Sequence, residues 1–198
     1  MAISAEQVKA LREKTGAGIA ACKAALEETA GDMEKANEVL RKKGLASAEG
    51  KSGRATGAGW IGSYIHNGRV GVMVELACET DFVAKNDVFQ AYLKDLCMHV
   101  ASGDPPPIAV RREDVPESVL AKEREILLGS DEVKKKPENM RAKIVEGKLG
   151  RFLPDRCLLE QKWFKDQNRT VADLLKDLIA KTGENMIVKR FARWTLGE

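Results

Sequence analysis

A chain of 198 residues can hold one medium domain with a small companion, and its 43% hydrophobic and 32% charged residues make it too apolar to be intrinsically disordered. Its 33 basic and 30 acidic residues leave a net charge of +3, far below the concentrated positive field of a nonspecific phosphate binder, so no direct nucleic-acid binding is expected. No run approaches the roughly 18 apolar residues of a membrane span and the N-terminus has no apolar signal core, so the expectation is a cytoplasmic chain without membrane attachment.

Residues 1–44 read as three short helices. Ser4 and Gln7 form a capping box, with Ile3 and Val8 placed to staple across it, and Gly16 ends the first helix. Ile19, Cys22 and Leu26 share a face of the second, which stops at Gly31. Asp32 caps the third, where Met33, Ala36, Val39 and Leu40 align, and Gly44 is read as its stop. Three such helices bury little surface, which suits a docking unit better than a catalytic one. Residues 45–59, small, polar and glycine-rich, read as a flexible linker. Within it GLASAEGKS approaches a phosphate-binding loop, but five residues separate the glycines where that motif has four, and the segment follows a helix instead of a strand.

Residues 60–198 are expected to form an α+β core of antiparallel strands packed with helices. Alternation in 60–66 and 70–76 flanks Asn67-Gly68, the pair that a two-residue hairpin turn favours, and places Ile61, Ser63 and Ile65 opposite Val74, Val72 and Val70 on a core face. Asp87 and Gln90 cap a helix with the buried stripe Phe89, Tyr92, Leu93, Leu96, Cys97 and Val100. Three successive prolines at 105–107 exclude regular structure there. Asp114 and Glu117 cap a further helix that has Pro116 in its first turn and ends with Ile126 and Leu127 before Gly129, and another runs from about Pro137 to Leu149 with Met140, Ile144 and Val145 inward. Thr170 opens a helix with Val171, Leu174, Leu175, Leu178 and Ile179 aligned, and 186–194 reads as a last strand. So few strands need helices or a second copy of the sheet as cover, so a homodimer is expected and 60–198 is a dimerisation-type domain.

Catalytic chemistry is missing from the pattern. Cys97 and His99 point about 200° apart on a helix, and neither His66 nor His99 sits in a metal or nucleophile motif. The four cysteines lack paired spacing and read as free thiols. No enzyme activity, metal or cofactor is expected. Two other readings remain: RNA or ribosome binding through Lys134–Lys136 with Lys189, Arg190 and Arg193, and a small enzyme built on His66 or His99.

The stretch CETDFVAKNDVF, residues 78–89, places Phe82 in the first turn of a short helix from Asp81 to Lys85, capped by Thr80 or Glu79. Periodicity leaves two possibilities: Phe82 folds back into the core, or it projects as an anchor for a partner.

Longer motifs carry a resemblance. LREKTGAGIAACKAAL (11–26), YIHNGRVGVMVELACETDFVAKNDVF (64–89), KIVEGKLGRFL (143–153), LLEQ (158–161) and VKRFARWTLGE (188–198) resemble the bacterial translation elongation factor Ts family over nearly the full chain. The resemblance implies that 1–44 is a ubiquitin-associated-like domain. It also implies a guanine nucleotide exchange factor for elongation factor Tu, not an enzyme of covalent chemistry. Thr80, Asp81, Phe82 and Val83 would form a turn wedged near the partner's magnesium and phosphate site, and Lys23 would touch the same partner domain. Trp163 and Phe164 stand where relatives have a second partner contact, although Lys162 replaces a proline there and core or dimer packing is an equal alternative for both. At this length the chain is expected to lack the second core subdomain and the helical hairpin of longer members. Some short members carry a cysteine where Ala192 stands, so the expected homodimer is noncovalent at that point.

Overall fold

The structure is a computed structural model and describes residues 3–197; the first two residues of the expected N-terminal domain and Glu198 of the expected core lie outside the described residues. In chain order the elements are α1 (Ala5–Thr15), α2 (Ile19–Glu28), α3 (Met33–Glu49), β1 (Ala58–His66), β2 (Val70–Cys78), α4 (Asp81–Ala84) and α5 (Asp87–Ser102). They continue as α6 (Glu117–Gly129), α7 (Asp131–Lys134), α8 (Glu138–Arg156), β3 (Lys162–Trp163), β4 (Asp166–Thr170), α9 (Val171–Thr182) and β5 (Met186–Thr195). The fold is α+β, with a three-stranded sheet ordered β1-β2-β5 and an antiparallel β3–β4 pair. No described helix is long and apolar enough to cross a membrane. The chain divides into two compact units, one of Met1–Trp60, Ala77–Gln90 and Asp173–Ile187, the other of Ile61–Leu76, Ala91–Ala172 and Val188–Glu198.

In the first unit, α1 to α3 close on Leu11, Cys22, Ala25, Leu26 and Ala36, with Ile3, Val8, Met33, Val39 and Leu40 packed around them. The caps are those the sequence predicts: Ser4 and Gln7 form the box on α1, and Asp32 accepts from the Glu34 and Lys35 amides on α3. Gly44, however, does not stop α3, which runs on to Glu49. One interior glycine costs a helix only about 1 kcal/mol relative to alanine. Alanines at 46 and 48 favour the helix, Ala48 is buried, and Glu49 ends it in an ion pair with Lys176 of α9. The first five residues of the expected linker are therefore helical.

In the second unit, Val72, Val74 and Leu76 of β2 are buried, but Ile61 and Ile65 are 55% and 71% exposed. The expected core face of β1 is thus the wrong one. A Cβ on Gly62 would lie 2.6 Å from Leu93 Cγ and 3.0 Å from Cys97 Sγ, so only glycine allows this close approach of strand to helix. Alternation identified both faces of β1, but the inward side carries glycine and the outward side isoleucine, so hydrophobicity misleads. Also contrary to expectation, α6 and α8 form a helical hairpin. Leu127 meets Val133, Val145 and Leu149 at its far end, Val119, Leu120 and Leu153 pack on Ala109, Val115 and Cys157 at its base, and Arg124 bonds Glu146 across it at 3.1 Å. Helix α8 extends seven residues past the expected Leu149, through Pro154. Met140, expected inward, is exposed at its start.

Candidate functional site

The Thr80–Val83 turn is built on almost no sequence. Helix α4 has four residues, and isolated helices shorter than about 12 residues are marginal in water, so its shape must come from its surroundings. Thr80 supplies the N-cap, its Oγ1 accepting from the Val83 amide at 3.4 Å. Ala84 is buried and seats the turn. Gln90 Nε2 donates to the Ala84 carbonyl at 2.5 Å, satisfying one of the carbonyls that a helix end leaves open. Asp81 pairs with Lys85 at 2.8 Å on the surface, and that hydrogen bond to Lys85 holds its carboxyl below the usual range.

Phe82 is 83% exposed, the most open of the large hydrophobic side chains described, so it does not fold back into the core. Val83 is half-buried beside it, and Val88, at the start of α5, is 45% exposed. Val88 went unnoticed in the sequence because it falls outside the stripe of α5 that predicts burial.

Lys23 lies elsewhere in the same unit. Ile3, Ala5, Val8, Lys9, Arg12, Ile19 and Lys23 line a groove of about 490 Å³ on α1 and α2. Its floor is apolar and its rim carries three cations, an arrangement that suits an apolar segment with acidic neighbours. Lys23 Nζ stands 3.8 Å from Glu27 in a loose exposed pair. Ile19, expected in the buried stripe of α2, is 58% exposed because it opens the helix directly after Gly18 and overhangs the groove.

Trp163 and Phe164 belong to the second unit. Trp163 is buried, stacked on Tyr92 with centroids 6.1 Å apart and on His99 at 5.3 Å, so its ring serves the interior. Phe164 is half-buried, edge-on to Trp163 at 5.1 Å, and Lys165 lies over its ring. The Phe164 amide donates to His99 Nδ1 at 3.3 Å, which leaves the proton on Nε2 to donate to Gln161 Oε1 at 3.1 Å. Gln161 Nε2 in turn donates to the carbonyls of Pro105 and Asp155.

Burial holds the His99 imidazole below its ordinary pKa of 6.5, with the Gln161 bond opposing in part. The folded chain therefore takes up this proton less readily than the unfolded chain. The contribution of neutral His99 is complete above the ordinary value, erodes as pH falls below it, and levels off only beneath the folded value. Urea unfolding at pH 7.5 and pH 5 should show a loss of stability at the lower pH that is smaller in His99→Gln. An identical loss in both proteins would show that His99 is not its source.

Comparison with known proteins gives one consistent result. The family model described as "Elongation factor TS" matches residues 5–198. A relative from Thermoanaerobacter sp. (strain X514), "Elongation factor Ts", is 51% identical over 99% of this chain and 96% of its own length. Relatives of the same name from Geobacter sulfurreducens and Prochlorococcus marinus (strain MIT 9303) are 52% and 54% identical, over 100% and 99% of this chain and 91% and 90% of their own lengths.

Proposed function

Because the chain belongs to the elongation factor Ts family, we propose that it is a guanine nucleotide exchange factor that binds elongation factor Tu and speeds its release of GDP. It acts in the cytoplasm during translation and makes or breaks no covalent bond of the nucleotide. The observation that carries this reading is the open phenyl ring of Phe82 on a turn held from several sides. Thr80 and Val83 frame the ring, and Asp81 guides it with polar contacts.

Inserted near the magnesium and phosphate site of the partner, the ring fits only a distorted, nucleotide-poor GTPase. The wedge then weakens nucleotide binding, and by thermodynamic reciprocity the nucleotide weakens the wedge. The α1–α2 groove, with Lys23 on its rim, takes a second contact with the same partner domain, consistent with a ubiquitin-associated-like role for the three helices. Of the remaining pair, Phe164 is the side chain with surface to offer, and buried Trp163 sets its orientation. Release of fluorescent GDP from loaded elongation factor Tu, with and without this chain, tests the proposal. Release at the spontaneous rate would overturn it.

The same reading includes a homodimer. Ile61, Ile65, Met73, Trp194 and Leu196 are all exposed in the second unit, and Trp194 Cε3 lies 3.9 Å from the position of a Cβ on Gly71. Large exposed apolar groups clustered on an open sheet mark an association surface. Sedimentation should give a dimer for the natural sequence and a folded monomer for Ile65→Glu with Met73→Glu. A monomer for the natural sequence at tens of micromolar would rule the dimer out.

A further inference from the structure

A side chain as exposed as Phe82 takes its position from backbone, because nothing packs around the ring to hold it. The backbone concerned is the single turn α4, which cannot hold itself. Its local supports all come from within ten residues: the Thr80 cap, the Asp81–Lys85 pair and Gln90. One support comes from far away in sequence. Glu184, half-buried just after α9, accepts the Thr80 amide on Oε2 at 3.0 Å and the Thr80 hydroxyl on Oε1 at 2.6 Å.

This double contact fixes more than one bond. With its proton committed to Glu184, the Thr80 hydroxyl must turn a lone pair toward the Val83 amide, which is the bond that caps α4. The Thr80 carbonyl is occupied too, accepting from Cys78 Sγ at 3.1 Å and from the Ala84 amide at 3.2 Å. Burial, and then the charge of Glu184, push the Cys78 thiol up, so it stays protonated and able to donate. Next door, the Asn185 amide donates to Glu79 Oε1 at 2.6 Å, and its Nδ2 donates to the carbonyls of Arg54 and Ser52 at 2.8 and 3.3 Å. The corner between α9 and β5 thus grips both ends of Glu79-Thr80, immediately before Asp81 and Phe82.

We propose that Glu184 is a positioning residue for exchange: its carboxylate holds the Thr80 turn in the shape that presents Phe82. The inference rests on the wedge reading above. Glu184 does not touch the nucleotide or its ion; it raises the fraction of chains whose turn is ready to insert. A reduced competent fraction weakens apparent affinity in proportion and leaves the step that follows binding unchanged.

The test compares Glu184→Ala, Glu184→Gln and Phe82→Ala in GDP release from elongation factor Tu over a range of exchange-factor concentrations. It is run beside amide hydrogen exchange of each free chain. In Glu184→Ala the half-saturating concentration should rise about 10-fold while the limiting rate stays within about 2-fold, as a competent fraction of roughly one tenth requires. Exchange of the Val83 and Ala84 amides should rise by a similar factor, with those of Leu11 and Leu26 unchanged as a check on folding. Glu184→Gln should recover to within about 3-fold, because its amide oxygen still accepts the Thr80 N–H and its NH2 can donate to the Thr80 oxygen. Unaltered Val83 exchange, or full activity of Glu184→Ala beside a defective Phe82→Ala, overturns the role of Glu184 alone. Full activity of Phe82→Ala overturns the wedge reading and this inference with it.

Discussion

Phe82→Ala is expected to cut the acceleration of GDP release by about 10- to 200-fold while leaving the melting temperature of the free chain unchanged. The factor follows from burying one phenyl ring, about 1.5 to 3 kcal/mol, if the ring finds its pocket only in the nucleotide-poor partner. The unchanged stability follows from its 83% exposure, since removing a ring that touches water removes no core. Phe82→Leu should lie between the two, because it keeps apolar volume and loses the flat shape. A loss in limiting rate identifies the ring as the wedge, and a loss only in half-saturating concentration identifies a binding contact without leverage. If GDP leaves as fast with Phe82→Ala as with the natural chain, the leverage lies elsewhere, and the groove on α1 and α2 becomes the next place to look.

The sequence made some of this legible and hid the rest for definite reasons. Local signals survived: the box at Ser4 and Gln7, the Asp32 cap and the Thr80 cap each need only a few neighbouring residues. Asn67 and Gly68 both adopt positive φ, and the Arg69 amide bonds the His66 carbonyl across them. Signals that depend on what packs opposite were lost. Ile61 and Ile65 look like core, but the approach of Leu93 and Cys97 leaves room only for Gly62 on that side of β1. The helical hairpin was missed because length suggested that it was absent, although Val145 and Leu149 stand at helical spacing on α8 and pack with Leu127 of α6. For the candidate site, the identity of the turn was readable and the support was not. Glu184 lies 104 residues from Thr80, and no pattern within one chain joins them.

Seven residues beyond Phe82 the same amino acid has the opposite task. Phe89 is fully buried in the first turn of α5, in the stripe that continues with Leu93, Leu96 and Val100. Phe89→Ala leaves a cavity that neighbouring chain closes only in part, at a cost of about 3 to 5 kcal/mol. For a chain of this size that lowers the melting temperature by roughly 6 to 20 °C. Any folded fraction keeps Phe82 on its turn, so exchange activity at a temperature well below the new transition should remain close to normal per folded molecule. The two variants therefore dissociate in opposite directions: one folded and inactive, the other active and fragile. Calorimetry of Phe89→Ala with no shift in its transition would contradict the burial of Phe89. A loss of activity in the folded fraction as deep as that of Phe82→Ala would show that the start of α5 also sets the wedge, since the Val88 amide bonds Asn86 Oδ1 and Gln90 Nε2 bonds the Ala84 carbonyl, which ties α4 to α5.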